Sequence, residues 1–175
     1  MNIMIALKKV IITLAALCAV SCAKETGTDG EHVSVGEVIP AFNVTTLDGT
    51  TTSSDTLLGK PSVIVFFDTT CPDCQRQIPE IEAVWREFKG SIGAIAIARE
   101  QGPDPVRDYW HGNGLTMPVA APGNRETFNL FDRGSKSGVP QVYVTDKEGR
   151  VTLYGNDKSI LTTIMITDKL KEQLR

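Results

Sequence analysis

Ser62-Val63-Ile64-Val65-Phe66-Phe67 is an apolar run without the alternation of a half-exposed strand. Such a run reads as a strand buried on both faces, and that requires helices above and below the sheet it joins. A short turn later comes Cys71-Pro72-Asp73-Cys74, at the head of a helical segment from Pro72 to about Lys89. Two thiols three positions apart at a helix N-terminus can close a disulfide with little backbone movement. The helix end also favours the thiolate that exchange chemistry needs.

The rest of the chain builds around this strand and helix. Ala41 to Thr46 alternates with period two, and Asp48-Gly49 then signals a hairpin that returns through Thr50–Thr52. Asp55 to Pro61 reads as a short helical turn ended by Gly59 and Pro61. Ile78, Ile81, Trp85 and Phe88 lie at helical spacing and mark the core face of the helix after the cysteines. Pro79 falls inside that helix and predicts a kink. Ile92 to Ala98 is a second buried strand, Pro103 to about His111 a helix, Met117 to Ala120 a short strand and Thr127 to Phe131 a short helix. Gln141 to Thr145 and Arg150 to Tyr154 are strands joined by the turn sequence Asp146-Lys147-Glu148-Gly149. The last helix is expected from Ser159 to Leu174, burying Ile160, Ile164, Leu170 and Leu174 behind a solvated face of Lys169, Lys171, Glu172 and Arg175. A βαβ pattern followed by an antiparallel pair and a final helix implies an α/β fold, with a central mixed sheet covered on both faces and an added N-terminal hairpin.

Cysteine usage narrows the chemistry. The chain has 4 cysteines, Cys18, Cys22, Cys71 and Cys74. The first two lie in a segment built like an export signal: Lys8 and Lys9 precede an apolar stretch, Val10 to Val20, too short to span a membrane. Ala19-Val20-Ser21-Cys22 resembles the bacterial lipobox, in which the cysteine becomes the lipidated first residue; Ala19 stands where that motif prefers Leu. The expected organisation is a signal peptide over 1–21, a flexible tether over 22–34 starting at lipid-bearing Cys22, and one domain over 35–175. An ordinary secretory signal is the alternative, and either route takes the protein out of the cytoplasm. Cys71 and Cys74 then form the one thiol pair of the mature chain, too few for a disulfide framework. A zinc site would need two further ligands, and neither His32 nor His111 stands in ligand spacing with the pair. No metal or other cofactor is expected beyond the redox-active disulfide itself. The net charge of −3 gives no support for nucleic-acid binding.

A strand, a CxxC, a helix containing proline, a βαβ crossover, then Gly138-Val139-Pro140 before a hairpin and terminal helix resembles the thioredoxin fold. The N-terminal hairpin and the block from Cys71 to Pro79 are similar to the envelope-facing TlpA/ResA thiol–disulfide oxidoreductases. The resemblance covers roughly Val35 to Leu174. Three departures stand out: Thr70 and Phe67 where the family commonly has Trp, Val65 at the place of the buried Asp of thioredoxin, and a Pro-Asp interior between the cysteines.

Residue roles follow from both lines. Cys71, near the N-cap, is the expected nucleophile, with Pro72 fitting the first helical position. Asp73 suits a first helical turn, and its charge also opposes a neighbouring thiolate, which predicts a relatively reducing pair. Cys74 is the resolving thiol. Glu100, just after the second buried strand, occupies a position similar to that of a cavity glutamate in the TlpA/ResA group and is the candidate proton acceptor if buried. The resemblance implies that Pro140 is cis, presenting the Val139 backbone beside the dithiol to pair with an extended substrate. Thr69, Thr70 and Phe67 are candidate substrate-surface residues, Phe67 serving equally well as core. The implied function is extracytoplasmic reduction of disulfides in envelope proteins, with analogy alone pointing to the thiols of apocytochrome c. Its partners would be those substrates, a membrane electron-donor thiol protein and the membrane itself through the lipid. The competing readings are a copper chaperone on the same fold, which wants wider cysteine spacing and a distal histidine, a peroxidase, which wants Thr where Asp68 stands, and a binding lipoprotein with an inert disulfide.

Overall fold

The computed structural model describes residues 32–133 and 137–175. The expected signal segment, Cys18, Cys22 and most of the expected tether lie outside the described residues.

The elements are β1 (Asn43–Thr45), β2 (Thr51–Ser53), α1 (Ser54–Leu57), β3 (Ser62–Phe67), α2 (Pro72–Phe88), β4 (Gly93–Ala98), α3 (Pro103–Gly112), β5 (Val119–Ala120), α4 (Arg125–Asp132), β6 (Gln141–Thr145), β7 (Val151–Asn156) and α5 (Thr163–Gln173). Five strands form one sheet in the order β5-β4-β3-β6-β7. β3, β4 and β5 run parallel, while β6 and β7 are antiparallel to their neighbours. β3 is the centre, and every one of its residues is buried, as its composition requires.

Successive residues of a strand point to opposite faces, so Phe66 and Phe67 define the two layers. Phe67 packs on Trp110 of α3 with ring centroids 5.1 Å apart. Phe66 packs edge-on against Phe128 and Phe131 of α4, at 5.4 and 4.9 Å. On the Phe67 side, α2 binds both the segment after α3 and the start of α5. Glu82 of α2 accepts from Thr116 and Met117, and Gln77 bonds both backbone groups of Leu161. The hairpin joins the Phe66 side through Phe42 against Phe131. Gly49 takes φ 86°, the left-handed geometry its turn demands.

Three expectations are corrected. α5 begins at Thr163, because Asn156 and Ser159 exchange backbone hydrogen bonds and Thr162 caps the helix by accepting from Met165 N. In the helix that begins there, Ile166, Thr167 and Leu170 face inward, Leu170 as expected, while Ile164 is 72% exposed and Leu174 42%. Trp85 and Phe88 are only partly buried, packing on the margin of the core. The tether ends earlier than expected. Val33 is fully buried with its N–H on the Phe131 carbonyl, and His32 stacks on Tyr154 at 4.2 Å, so His32 to Ser34 belong to the domain.

Candidate active site

The end of β3, the loop 68–70 and the first turn of α2 converge on Cys71. Cys71 is the N-cap of α2, with Pro72 at the first helical position. Its sulfur accepts the Cys74 backbone N–H at 3.4 Å, one of the donors that a helix start leaves unpaired. The same sulfur donates to the Val139 carbonyl oxygen at 3.2 Å. Val139–Pro140 is a cis peptide, as expected. Cys71 and Cys74 are both free thiols. Cys71 is half-buried and can meet a partner, whereas Cys74 is 1% exposed.

Their surroundings separate the two thiols. Burial pushes the Cys74 thiol well above its ordinary range. The Asp68 backbone N–H works against that by bonding its sulfur, and contact with Cys71 and the negative charges of Cys71 and Asp68 add to the rise. Tyr109 of α3 stands close enough that negative charge on Cys74 adds to the effect of burial in raising its phenol. A groove of about 630 Å³ opens beside this point between α2 and α3, lined by Gln75, Pro79, Arg86, Tyr109 and Leu115 among others.

The other candidates sort by exposure. Thr70 and Pro72 are exposed beside Cys71; Thr70 is held by its N–H and hydroxyl donating to Asp68 Oδ1 at 2.8 and 2.6 Å. Asp73 is paired with Arg76 one turn along, which sets a positive charge against the negative one expected to oppose the thiolate. Phe67 is fully buried and Thr69 is 9% exposed, so both belong to the core rather than to a substrate surface. Glu100 is the main correction. Its side chain is 48% exposed and ion-paired with Arg125, with Arg99 Nε 4.0 Å from its other oxygen. β4 ends at Ala98, so Glu100 sits past the sheet, half-exposed and paired with Arg125.

Sequence reasoning missed Asp68, Gln75 and Gln101. Gln101 follows Glu100, and its amide bonds Thr69 in the loop before Cys71. Its contact lies 32 residues away in the chain, and no local pattern announces it. Among the described residues, no three His, Cys, Asp or Glu side chains converge to hold a metal ion.

A mixed sheet with helices on both faces and a dithiol split between an accessible and a buried sulfur at a helix head defines a thioredoxin-like thiol–disulfide oxidoreductase. More particularly, the chain belongs to the AhpC/TSA family, whose model matches residues 35–154. It is similar to the thiol-disulfide oxidoreductase ResA of Bacillus thuringiensis (strain Al Hakam), 27% identical over 146 residues that cover 82% of this chain and 83% of the relative. ResA of Geobacillus kaustophilus (strain HTA426) is 25% identical over 166 residues, covering 93% and 90%. Among solved structures, the thiol:disulfide interchange protein of Chlorobium tepidum TLS superposes with TM-score 0.64 at 25% identity, covering 81% of this chain and 99% of that one.

Proposed function

We propose that this thiol–disulfide oxidoreductase works outside the cytoplasm as a reductant of disulfides in envelope proteins, held at the membrane by a lipid on Cys22. The observation that carries the reading is the asymmetry of the dithiol: one accessible sulfur at a helix head beside the Val139 carbonyl, one buried sulfur behind it.

The chemistry runs in two exchanges. The Cys71 thiolate attacks one sulfur of a substrate disulfide; a Cys71–substrate bond forms, and the other substrate sulfur leaves as a thiolate and takes up a proton. Cys74 then loses its proton and attacks Cys71 Sγ. The mixed disulfide breaks, the second substrate sulfur leaves, and two electrons have passed from the dithiol to the substrate. Val139 offers its backbone beside the reacting sulfur to an extended substrate segment, with Pro140, Thr70, Pro72 and Asp73 around it. A membrane thiol protein returns the electrons.

The electrostatics order these steps. Burial keeps Cys74 a thiol, and a thiolate on Cys71 raises it further. Once Cys71 is in a mixed disulfide that charge is gone, so Cys74 deprotonates more readily when it has a bond to break. Resolution follows capture rather than competing with it.

Redox titration of the purified protein against glutathione and dithiothreitol tests the direction. A potential well below that of the strong oxidant DsbA, about −120 mV, is expected; a value as high as that overturns the reductive reading. Cys74→Ser should trap mixed disulfides through Cys71 in envelope extracts. Extracts with no trapped partner overturn the substrate assignment.

A further inference from the structure

Thr69 sits two residues before the nucleophile, with its N–H, carbonyl and hydroxyl oxygen all bonded to two glutamine side chains. Its N–H donates to Gln101 Oε1 at 2.7 Å, its hydroxyl oxygen accepts from Gln101 Nε2 at 2.7 Å, and its carbonyl accepts from Gln75 Nε2 at 2.9 Å. We propose that Gln101 and Gln75 are positioning residues that clamp Thr69 and thereby set the reactivity of Cys71.

The clamp is anchored at both ends. Gln75 lies in the first turns of α2, and its own N–H donates to the Cys71 carbonyl at 3.0 Å. Gln101 follows Glu100, whose half-exposed ion pair with Arg125 links this loop to the first residue of α4. That loop is also pressed by the chain before α4, where a Cβ on Gly123 would lie 2.2 Å from the Glu100 backbone. The loop 68–70 is thus tied to α2 through Gln75 and, through Gln101, to the loop that abuts the chain before α4.

The loop in turn fixes the thiol. The Cys71 N–H donates to the Asp68 carbonyl at 3.2 Å. Cys71 then holds φ −79° and ψ 118°, the geometry that brings its sulfur to both the Cys74 N–H and the Val139 carbonyl. The sulfur contact with the helix end is 3.4 Å long. At that reach a small rotation of Thr69 and Thr70 loses it, and misplacement by about 1 Å can cost a reaction two orders of magnitude.

The inference rests on the oxidoreductase reading, and its test separates the two. The full-length reduced protein is mixed with an aromatic disulfide dye near neutral pH, and the Cys71 reaction rate is read alongside the equilibrium constant with glutathione and the urea midpoint. Gln101→Leu removes both of its bonds and is expected to slow the reaction about three- to tenfold and shift the equilibrium toward the disulfide, because a thiolate less well held by the helix end is less stable. Gln101→Glu can accept from the Thr69 N–H and, with the hydroxyl reversed, from Oγ1. Read at high salt to screen the added charge, it should recover the rate to within about twofold. Should Gln101→Leu not fold, Thr69→Val, which loses only the hydroxyl bond, and Gln75→Leu must each slow the reaction at least about twofold. Folded variants that keep the wild-type rate and equilibrium while losing stability overturn the clamp. A wild-type protein that does not exchange at all overturns the oxidoreductase reading instead.

Discussion

Cys71 and Cys74 stand one helical turn apart in opposite surroundings, and Cys74 makes the reduced protein sensitive to base. An ordinary cysteine thiol ionises near 9.0, and burial holds Cys74 protonated to higher pH in the folded chain. Above that pH the unfolded chain binds fewer protons than the folded one, so stability falls as pH rises, by up to about 1.4 kcal/mol per pH unit; below it the contribution is complete. Urea unfolding of the reduced protein should therefore show its advantage over Cys74→Ala shrinking between about pH 9 and 10.5. A constant difference across that range would falsify the assignment. Asp73 makes a second case. Its ion pair with Arg76 balances two charges near the thiolate, so the two single variants should act in opposite directions. Asp73→Asn should move the glutathione equilibrium toward the dithiol and Arg76→Ala toward the disulfide, each about two- to fivefold. Both shifts should collapse in about 1 M salt, since screening acts strongly on exposed pairs. Shifts of the same sign, or shifts indifferent to salt, would rule out the charge explanation.

The helix α2 carries more than the dithiol. Gln77, fully buried, donates to the Leu161 carbonyl and accepts the Leu161 N–H, both at 2.8 Å, and Glu80 receives the Thr163 N–H and hydroxyl. Glu82 is 5% exposed; burial opposes its ionisation, but bonds from Arg86, Thr116 and Met117 outweigh that and hold its carboxyl below the usual range. The register of α5 is thus dictated from α2. That explains what could be read from the amino-acid order and what could not. β3 and α2 are legible because their signals are local: an unbroken apolar run, a proline at the first helical position, and apolar spacing. The buried face of α5 is not, because Ile160 and Ile164 fit the helical period equally well and only the bonds from Gln77 and Glu80 decide where the helix starts. The same holds at the site, where the CxxC and Pro140 stand out while the glutamines that hold Thr69 do not. Gln77→Ala should leave both Leu161 backbone groups buried and unpaired, costing about 2–4 kcal/mol. Urea denaturation should show a lower midpoint at an unchanged slope; a loss under about 0.5 kcal/mol would mean that Leu161 finds other partners.

At the scale of the whole molecule, the N-terminal stretch covers the β5 edge of the sheet and the start of the β7 edge. At the β7 side, the N–H groups of Gly36 and Ile39 donate to Val151 and Gly149, and Val38 bridges Arg150. At the β5 side, Thr46 bridges Ala120 and the Leu47 N–H donates to the Val119 carbonyl. Between these contacts Phe42 and Val33 cover the Phe66 face over α4. Exposed edges recruit further strands, and chains that leave them bare tend to associate. A chain lacking residues 1–53 would keep both cysteines, Gln101 and Pro140, yet lose both edge covers and the packing on Phe131. It should therefore still exchange disulfides when freshly folded at low concentration, while light scattering shows it associating as concentration rises and its urea midpoint falls. The opposite pattern, a monomeric truncated chain without exchange activity, would mean that the N-terminal stretch serves the dithiol directly rather than the sheet edges that support it.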